Sequence, residues 1–264
     1  MSTEPLIPAQ RREQLMELLR TEGVLSVRQL TEHLGVSHMT VRRDIAELEK
    51  EGRASSIAGG VQLPGSLHVE PTFADKAQKD VSEKKAIAQG VAPMLEDGMS
   101  IYLDAGTTTG ALVPHIYQHQ NMTIVTNDFV IVDQLTANIS NTVLHTGGRL
   151  EAPNRSAVGP FAATMLRTIN VDIAFISTSS WDVAHGITTP HDGKIEVKHA
   201  AMKSAATNVL LAASAKFGKY GMYSIAKLNA FDRIVSDTGL THPSATSIED
   251  LGIDLLLCEP HSTT

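Results

Sequence analysis

From about residue 82 to its end the chain alternates seven short β-branched runs with helical stretches, and no other feature limits its fold as strongly. The runs are Ser100–Leu103, Thr123–Thr126, Thr142–His145, Asp172–Ser177, Val209–Ala212, Arg233–Ser236 and Asp254–Cys258, with helical patterns such as Val81–Ala92, Thr108–His119, Ala157–Thr168 and Ile195–Thr207 between most of them. Parallel strands cannot be joined by tight turns and need crossovers. The alternation therefore predicts βαβ units and an α/β domain over residues 81–264, with a mostly parallel sheet covered on both faces. With 264 residues, 42% apolar and 19% charged, the chain can bury such a core and lacks the composition of a disordered protein. It carries no internal repeat and no low-complexity segment.

Residues 1–63 read differently. A first helix follows Pro8, carries Leu15, Leu18 and Leu19, and meets a stop at Gly23. A second begins at Ser26, a good N-cap, runs through Val27, Leu30 and Leu34, and ends at Gly35. A third begins at Ser37 and sets Val41, Ile45 and Leu48 at helical spacing until Gly52. Only Gly35 and Val36 precede the third cap, and so short a break forces two helices to cross steeply, as in a helix-turn-helix. Between Arg53 and Leu63 the Gly59-Gly60 pair can turn a small hairpin, which makes the motif winged. Residues 64–80, with Pro64, Gly65, Pro71 and several charges, are expected to be a linker.

With the third helix anchored by its apolar triplet, the other face presents His38, Arg42 and Arg43, with Ser37 and Thr40 at its start. Arg can take guanine O6 and N7 bidentately, and Ser37 or Thr40 can donate to a phosphate beside the helix N-terminus. On their own the two arginines would read as solvated surface groups paired with Glu47. Two caps, a two-residue break, an apolar triplet and a hairpin in one stretch favour the reading in which they face double-stranded DNA. Asp44 is expected to orient an arginine or close a turn, since phosphate would repel it. The net charge of −7 does not weigh against DNA here. The first 63 residues hold eight Lys/Arg and nine Asp/Glu, so most of the negative charge lies beyond them.

Val36-Ser37-His38-Met39-Thr40-Val41-Arg42-Arg43-Asp44-Ile45, followed by Leu48 and Gly52, resembles the DNA-binding signature of the DeoR family of bacterial transcriptional regulators. The resemblance implies a winged helix-turn-helix that mostly represses sugar-utilisation operons and is released by a phosphorylated sugar bound in a C-terminal domain. The chain departs from the family in the wing, where Ser56 and Ala58 stand at the usual basic and histidine positions. Fewer wing contacts to phosphate, and DNA binding that is weaker or more dependent on the helix, are the expectation.

Asp104-Ala105-Gly106-Thr107-Thr108-Thr109 follows a strand and opens a helix. A glycine permits the tight turn, successive N–H groups point outward, and three hydroxyls add bonds to an anion, which together form a phosphate cradle. An ordinary N-cap with a glycine for close packing explains the same residues. The loop lacks the Walker lysine and the dinucleotide spacing, so no nucleotide cofactor is expected. Further polar clusters sit at strand ends: Thr126-Asn127-Asp128, Thr146-Gly147-Gly148-Arg149, Ser177-Thr178-Ser179-Ser180 and Lys216-Phe217-Gly218. Ligands of open parallel sheets bind outside the strands' carboxyl ends, so the clusters together suggest one shared pocket, although singly each reads as a turn.

These elements also resemble, in order and approximate spacing, the effector domain of the DeoR family, which is similar in fold to ribose-phosphate isomerase and glucosamine-phosphate deaminase. The resemblance implies that Thr107, Thr108 and Thr109 take the phosphate and that Asp104, Asn127 and Lys216 meet the sugar. Gly106, Gly147 and Gly148 complete the effector-binding set. Glu196-Val197-Lys198 resembles a family element, which adds Lys198 as a candidate outside that set. Where relatives commonly carry Gly-Ala-Asp-Gly after the fourth strand, this chain has Ser177 to Ser180 and then Trp181. An acidic group able to move a proton is missing there, which argues against isomerase chemistry and suggests an altered ligand preference; Asp182 and Glu196 remain as substitutes. Trp181 could stack on a ligand or fill the core. His115 and His119 stand at i, i+4 spacing without an evident third ligand, so no metal is expected.

The sequence therefore predicts a non-enzymatic, DNA-binding transcriptional regulator, a repressor of a carbohydrate-utilisation operon, controlled by a phosphorylated sugar or sugar acid. From a different class, the alternative is a sugar-phosphate isomerase or deaminase with an accessory DNA-binding module. Paired recognition helices must meet major grooves about 34 Å apart, which implies a homo-oligomer, a dimer or tetramer. Cys258, the lone cysteine, permits no internal disulfide. No apolar run approaches a membrane span, and the N-terminus lacks a basic segment followed by an apolar stretch, so a cytoplasmic protein without a membrane partner is expected.

Overall fold

Three helices, each ended by the residues that cap it, open the computed structural model, which describes residues 6–260 apart from Ala58, His68, Asn138 and Ile139. Helix α1 (Pro8–Glu22) starts on proline, and β1 (Val24–Ser26) follows it. In α2 (Val27–Leu34) the Ser26 hydroxyl accepts from the Gln29 N–H at 3.2 Å, and in α3 (His38–Lys50) Ser37 does the same for Thr40 at 3.2 Å. Leu15, Leu19, Leu30, Val41, Ile45 and Leu48 bury themselves with Leu25 and Val61 in a core of their own. The hairpin of β2 (Ser55–Ile57) and β3 (Gly60–Gln62) forms the wing, and β1 completes it as a three-stranded sheet with β3 central.

The stretch expected as a linker carries β4 (Gly65–Leu67) and α4 (Phe73–Gln78), after which α5 (Val81–Val91) begins the larger domain. There β5 (Ser100–Leu103), β6 (Thr123–Thr126) and β7 (Thr142–His145) alternate with α6 (Thr107–Gly110), α7 (Val113–Ile116) and α8 (Phe129–Leu135). The hairpin of β8 (Arg149–Glu151) and β9 (Ser156–Val158), then α9 (Pro160–Leu166), lead to β10 (Val171–Ser177). Next come β11 (Ser180–Asp182), β12 (Gly186–Thr189), α10 (Gly193–Ser204), β13 (Ala205–Leu211), β14 (Lys219–Gly221) and β15 (Tyr223–Ala226). The described chain ends with β16 (Arg233–Asp237), α11 (His242–Glu249) and β17 (Asp254–Cys258).

All seven anticipated runs join one parallel sheet in the order β17-β16-β13-β10-β5-β6-β7. Both faces are covered, as a parallel sheet requires, and the side chains alternate accordingly. Ile173, Phe175, Val209 and Leu211 pack with Ile87, Val91, Ile116 and Leu135 on one face. Ala174, Ile176, Leu210 and Ala212 pack with Leu166, Val197, Ala201 and Ile248 on the other. The expected helix over Thr108–His119 is instead the two short helices α6 and α7, with Pro114 in the first turn of the second.

From β5 the chain runs outward through β6 and β7, then returns to place β10 on the other side of β5. The strand order therefore reverses between β5 and β10, and the loops leaving their carboxyl ends diverge and open a crevice. The two domains meet at the wing, where Ser55 lies against Gly218. β4 pairs in parallel with β14, and buried Glu49 of α3 accepts from the Ser56 N–H (2.8 Å), the Ser56 hydroxyl (3.1 Å) and the Ser244 hydroxyl of α11 (3.0 Å). Burial raises the Glu49 pKa, and nearby Asp182 adds to the rise against these hydrogen bonds.

Candidate functional site

The crevice at the reversal is a polar cavity. Its walls are the loop from Asp104 to Thr108 after β5, Asn127 after β6, Ser177 to Ser179 after β10, Lys194 and Lys198 on α10, and Lys216 after β13. Glu70 and Lys76 close it from the segment that joins the two domains. Lys194 and Lys198, four residues apart, share one face of their helix. Gly106 lies against Ser177: a Cβ there would stand 3.0 Å from the Ser177 hydroxyl, so glycine lets the two loops close on each other.

Four lysines face two carboxylates, so the cavity carries excess positive charge. Asp104 accepts from Lys198 and from Ser177, at 2.9 Å from its N–H and 2.7 Å from its hydroxyl. Glu70 accepts from Lys76 at 2.7 Å and from Lys194. Burial would raise the Glu70 pKa, but Lys194 and Lys76 outweigh it and hold the carboxyl well below the usual range. Burial lowers the pKa of Lys76 and Lys198 against the pull of these carboxylates. Among the described residues Lys216 pairs with no carboxylate; its ammonium donates to the Thr178 carbonyl at 2.8 Å. Burial, with Lys76 and Lys84 nearby, pushes its pKa down to about 7. Two buried hydroxyls on the wall, Thr108 Oγ1 and Ser156 Oγ, lack a hydrogen-bond partner. Cations in excess and unsatisfied hydroxyls give the cavity the chemistry to take a small anion.

The structure brings Asp104, Gly106, Thr107, Thr108, Asn127 and Lys216 to this cavity. It turns Thr109 inward, where the hydroxyl bonds the carbonyls of Asp104 (2.5 Å) and Gly106 (2.8 Å). Gly147 and Gly148 do not line the cavity; Gly147 donates to His145 Nδ1 and Gly148 packs against Ala162. The cradle is narrower than its sequence reads, because the Ala105 and Gly106 amides are taken by Asn127 (2.9 Å) and Asp128 (3.0 Å). Trp181 is fully buried and edge-on to Phe217, so it fills the core and does not stack in the cavity. Asp182 binds His185 and Glu196 is exposed, so neither supplies the cavity with an acid. Sequence reasoning missed Glu70, Lys76, Ser156 and Lys194. The E-V-K element had pointed to Lys198. Among the described residues no cluster of His, Cys, Asp or Glu could hold a metal.

In the helix-turn-helix domain Ser37, His38, Arg42 and Arg43 are exposed at the start and on the outer face of α3, with Thr40 half-buried, and Met39 stands 71% exposed among them. No carboxylate lies within ion-pair distance of Arg42 or Arg43 among the described residues, so the pairing with Glu47 does not form. Arg42 borders a groove whose other wall is residues 238–243 of the larger domain. Asp44 does orient an arginine: Arg11 of α1 grips it through Nε and, at 3.0 Å, Nη2. In the wing the Ser56 amide and hydroxyl are spent on Glu49, and Ala58 lies outside the described residues.

A winged helix-turn-helix joined to a larger domain built on a parallel sheet defines the class of DNA-binding transcriptional regulators. Residues 11–66 match the DeoR-like helix-turn-helix domain and residues 79–238 the DeoR C terminal sensor domain, and the chain belongs to the DeoR family of transcriptional regulators. It is 42% identical to an uncharacterized HTH-type transcriptional regulator of Haemophilus influenzae, over 96% of this chain and 98% of that one. It is 40% identical to the uncharacterized regulator YgbI of Escherichia coli, over 96% and 99%. To the glycerol-3-phosphate regulon repressor of Escherichia coli it is 26% identical, over 94% and 98%. Among solved structures, ribose 5-phosphate isomerase A of Methanocaldococcus jannaschii aligns with 53% of this chain and 55% of its own, at 15% identity and a TM-score of 0.38. That partial likeness carries no argument about activity.

Proposed function

We propose that the chain represses a carbohydrate-utilisation operon, with DNA affinity controlled by a phosphorylated sugar or sugar acid bound in the crevice between β5 and β10. One observation carries this reading: among the described residues, half-buried Lys216 has no carboxylate partner, in a cavity where lysines outnumber acids and two hydroxyls are unsatisfied. An arriving phosphate or carboxylate supplies the missing counter-charge, and sugar hydroxyls suit Thr108 and Ser156. The DNA contacts in this reading are Ser37, His38, Thr40, Arg42 and Arg43, on a homo-oligomer that offers paired helices to successive major grooves. Residues 1–63 form the DNA-binding unit, 64–80 the connection and 81–264 the sensor. Both carboxylates of the cavity are held in ion pairs, and Glu70, kept ionised, is a poor proton acceptor, which favours sensing over isomerase or deaminase chemistry. Thermal unfolding across a panel of phosphorylated sugars and sugar acids tests the reading. At least one compound should raise the melting temperature of wild type and leave Lys216→Ala unmoved, and no response to any phosphorylated compound overturns it.

A further inference from the structure

Glu70 is the one carboxylate of the cavity that the sensor sheet does not itself supply. It sits on the segment between β4 and α4, with exposed neighbours Val69 and Pro71, and its own side chain is inserted among the pocket lysines. Because its neighbours lie at the surface, withdrawing Glu70 unpacks no core. What holds it is charge: Lys76 and Lys194 grip the two carboxylate oxygens, and His191 stands 3.9 Å away. A phosphate that takes these ammonium groups cannot sit beside an ionised Glu70 without strong repulsion in a buried site.

We propose that Glu70 is an internal occupant of the anion site, displaced by the effector anion together with β4 and the loop after it, which tie the winged helix to the sensor, while α4 keeps Lys76 at the site through its bonds to Asn154 and Lys84. This rests on the reading that the cavity takes such an anion. The tie is specific. The Gly65 N–H donates to the Gly218 carbonyl at 3.1 Å, and β4 continues against β14 from Gly65 to Leu67. Gly218, two residues beyond Lys216, packs on wing residue Ser55 so closely that a Cβ would stand 1.6 Å from its hydroxyl. An effector shifts an equilibrium only through unequal affinity for two arrangements. Glu70 supplies the inequality, because it competes for Lys76 and Lys194 only while the segment is docked.

Glu70→Gln keeps the shape and removes the charge. Titrated calorimetrically with inorganic phosphate, the full-length variant should bind about tenfold more tightly than wild type. In wild type, phosphate should slow hydrogen exchange in the loop from Asp104 to Thr109 and speed it at Gly65 to Leu67, a readout that decides the matter even where the variant does not fold. Equal or weaker phosphate binding by Glu70→Gln, or phosphate slowing exchange at Gly65 to Leu67, overturns the displacement. The anion-site reading then still stands, provided wild type binds phosphate and Lys216→Ala does not. Binding by neither wild type nor Glu70→Gln overturns both.

Discussion

Burial leaves the Lys216 ammonium with the Thr178 carbonyl as its hydrogen-bond acceptor, and a pKa of about 7 makes its charge depend on pH within the physiological range. Below that value it is a cation and above it neutral. An anion of fixed charge such as sulfate is therefore expected to bind more weakly as pH rises through about 7, with a limiting slope of about one decade per pH unit. Lys216→Arg keeps its charge throughout and should flatten the profile; an equally steep profile in that variant would assign the titration elsewhere. On the other domain, Arg42→Ala and Arg43→Ala should each weaken operator binding severely while phosphate binding persists. Unchanged gel-shift affinity in both would refute the assigned helix. Arg11 works indirectly, because its loss leaves the Asp44 carboxylate buried and unpaired between α1 and α3. Arg11→Ala should cost about 2–3 kcal/mol in chemical denaturation, and a cost near zero would mean that water reaches Asp44.

Elements carry the next level, and the loop from Lys216 to β14 joins pocket to wing in the fewest residues. Gly218 has φ +71 and lies against Ser55, so Gly218→Ala adds both backbone strain and a collision at the domain interface. Phosphate binding should survive this substitution while operator affinity stops responding to effector; a normal response would remove the loop from the coupling path. The local chemistry of most elements was legible. Ser26 and Ser37 cap the helices they were expected to cap, and β-branched runs such as Thr123 to Thr126 became strands because a sheet covered on both faces selects such side chains. What escaped was structure held by polar pairing. Ser180 read as part of a turn and Thr188 fell in no anticipated element, yet their hydroxyls meet at 2.8 Å across β11 and β12, whose ladder also includes β15. β1 escaped too, since a three-residue strand has no period of its own to detect.

At the scale of the whole molecule, the pocket joins positions that the chain separates widely. Asp104, Asn127 and Lys216 were legible because each follows a strand, and parallel strands bring their carboxyl ends to one edge. Glu70 and Lys76 come from a stretch that reads as linker, and only the docking of β4 on β14 carries them to the cavity. Lys194 and Lys198 sit at the start and middle of α10, where helical spacing alone does not say which face meets a ligand. The charge of −7 divides in the same way: a nearly neutral DNA-binding segment, an acidic sensor surface, and a lysine-rich pocket hidden within it. The central claim is that anion occupancy of this pocket governs DNA binding. Fluorescence anisotropy of a DNA site selected from a random library, followed while phosphorylated sugars and sugar acids are titrated, tests it most directly. At least one compound should dissociate the wild-type complex and leave the Lys216→Ala complex bound. Wild-type DNA affinity that no phosphorylated compound changes, or equal dissociation of both complexes, would contradict it.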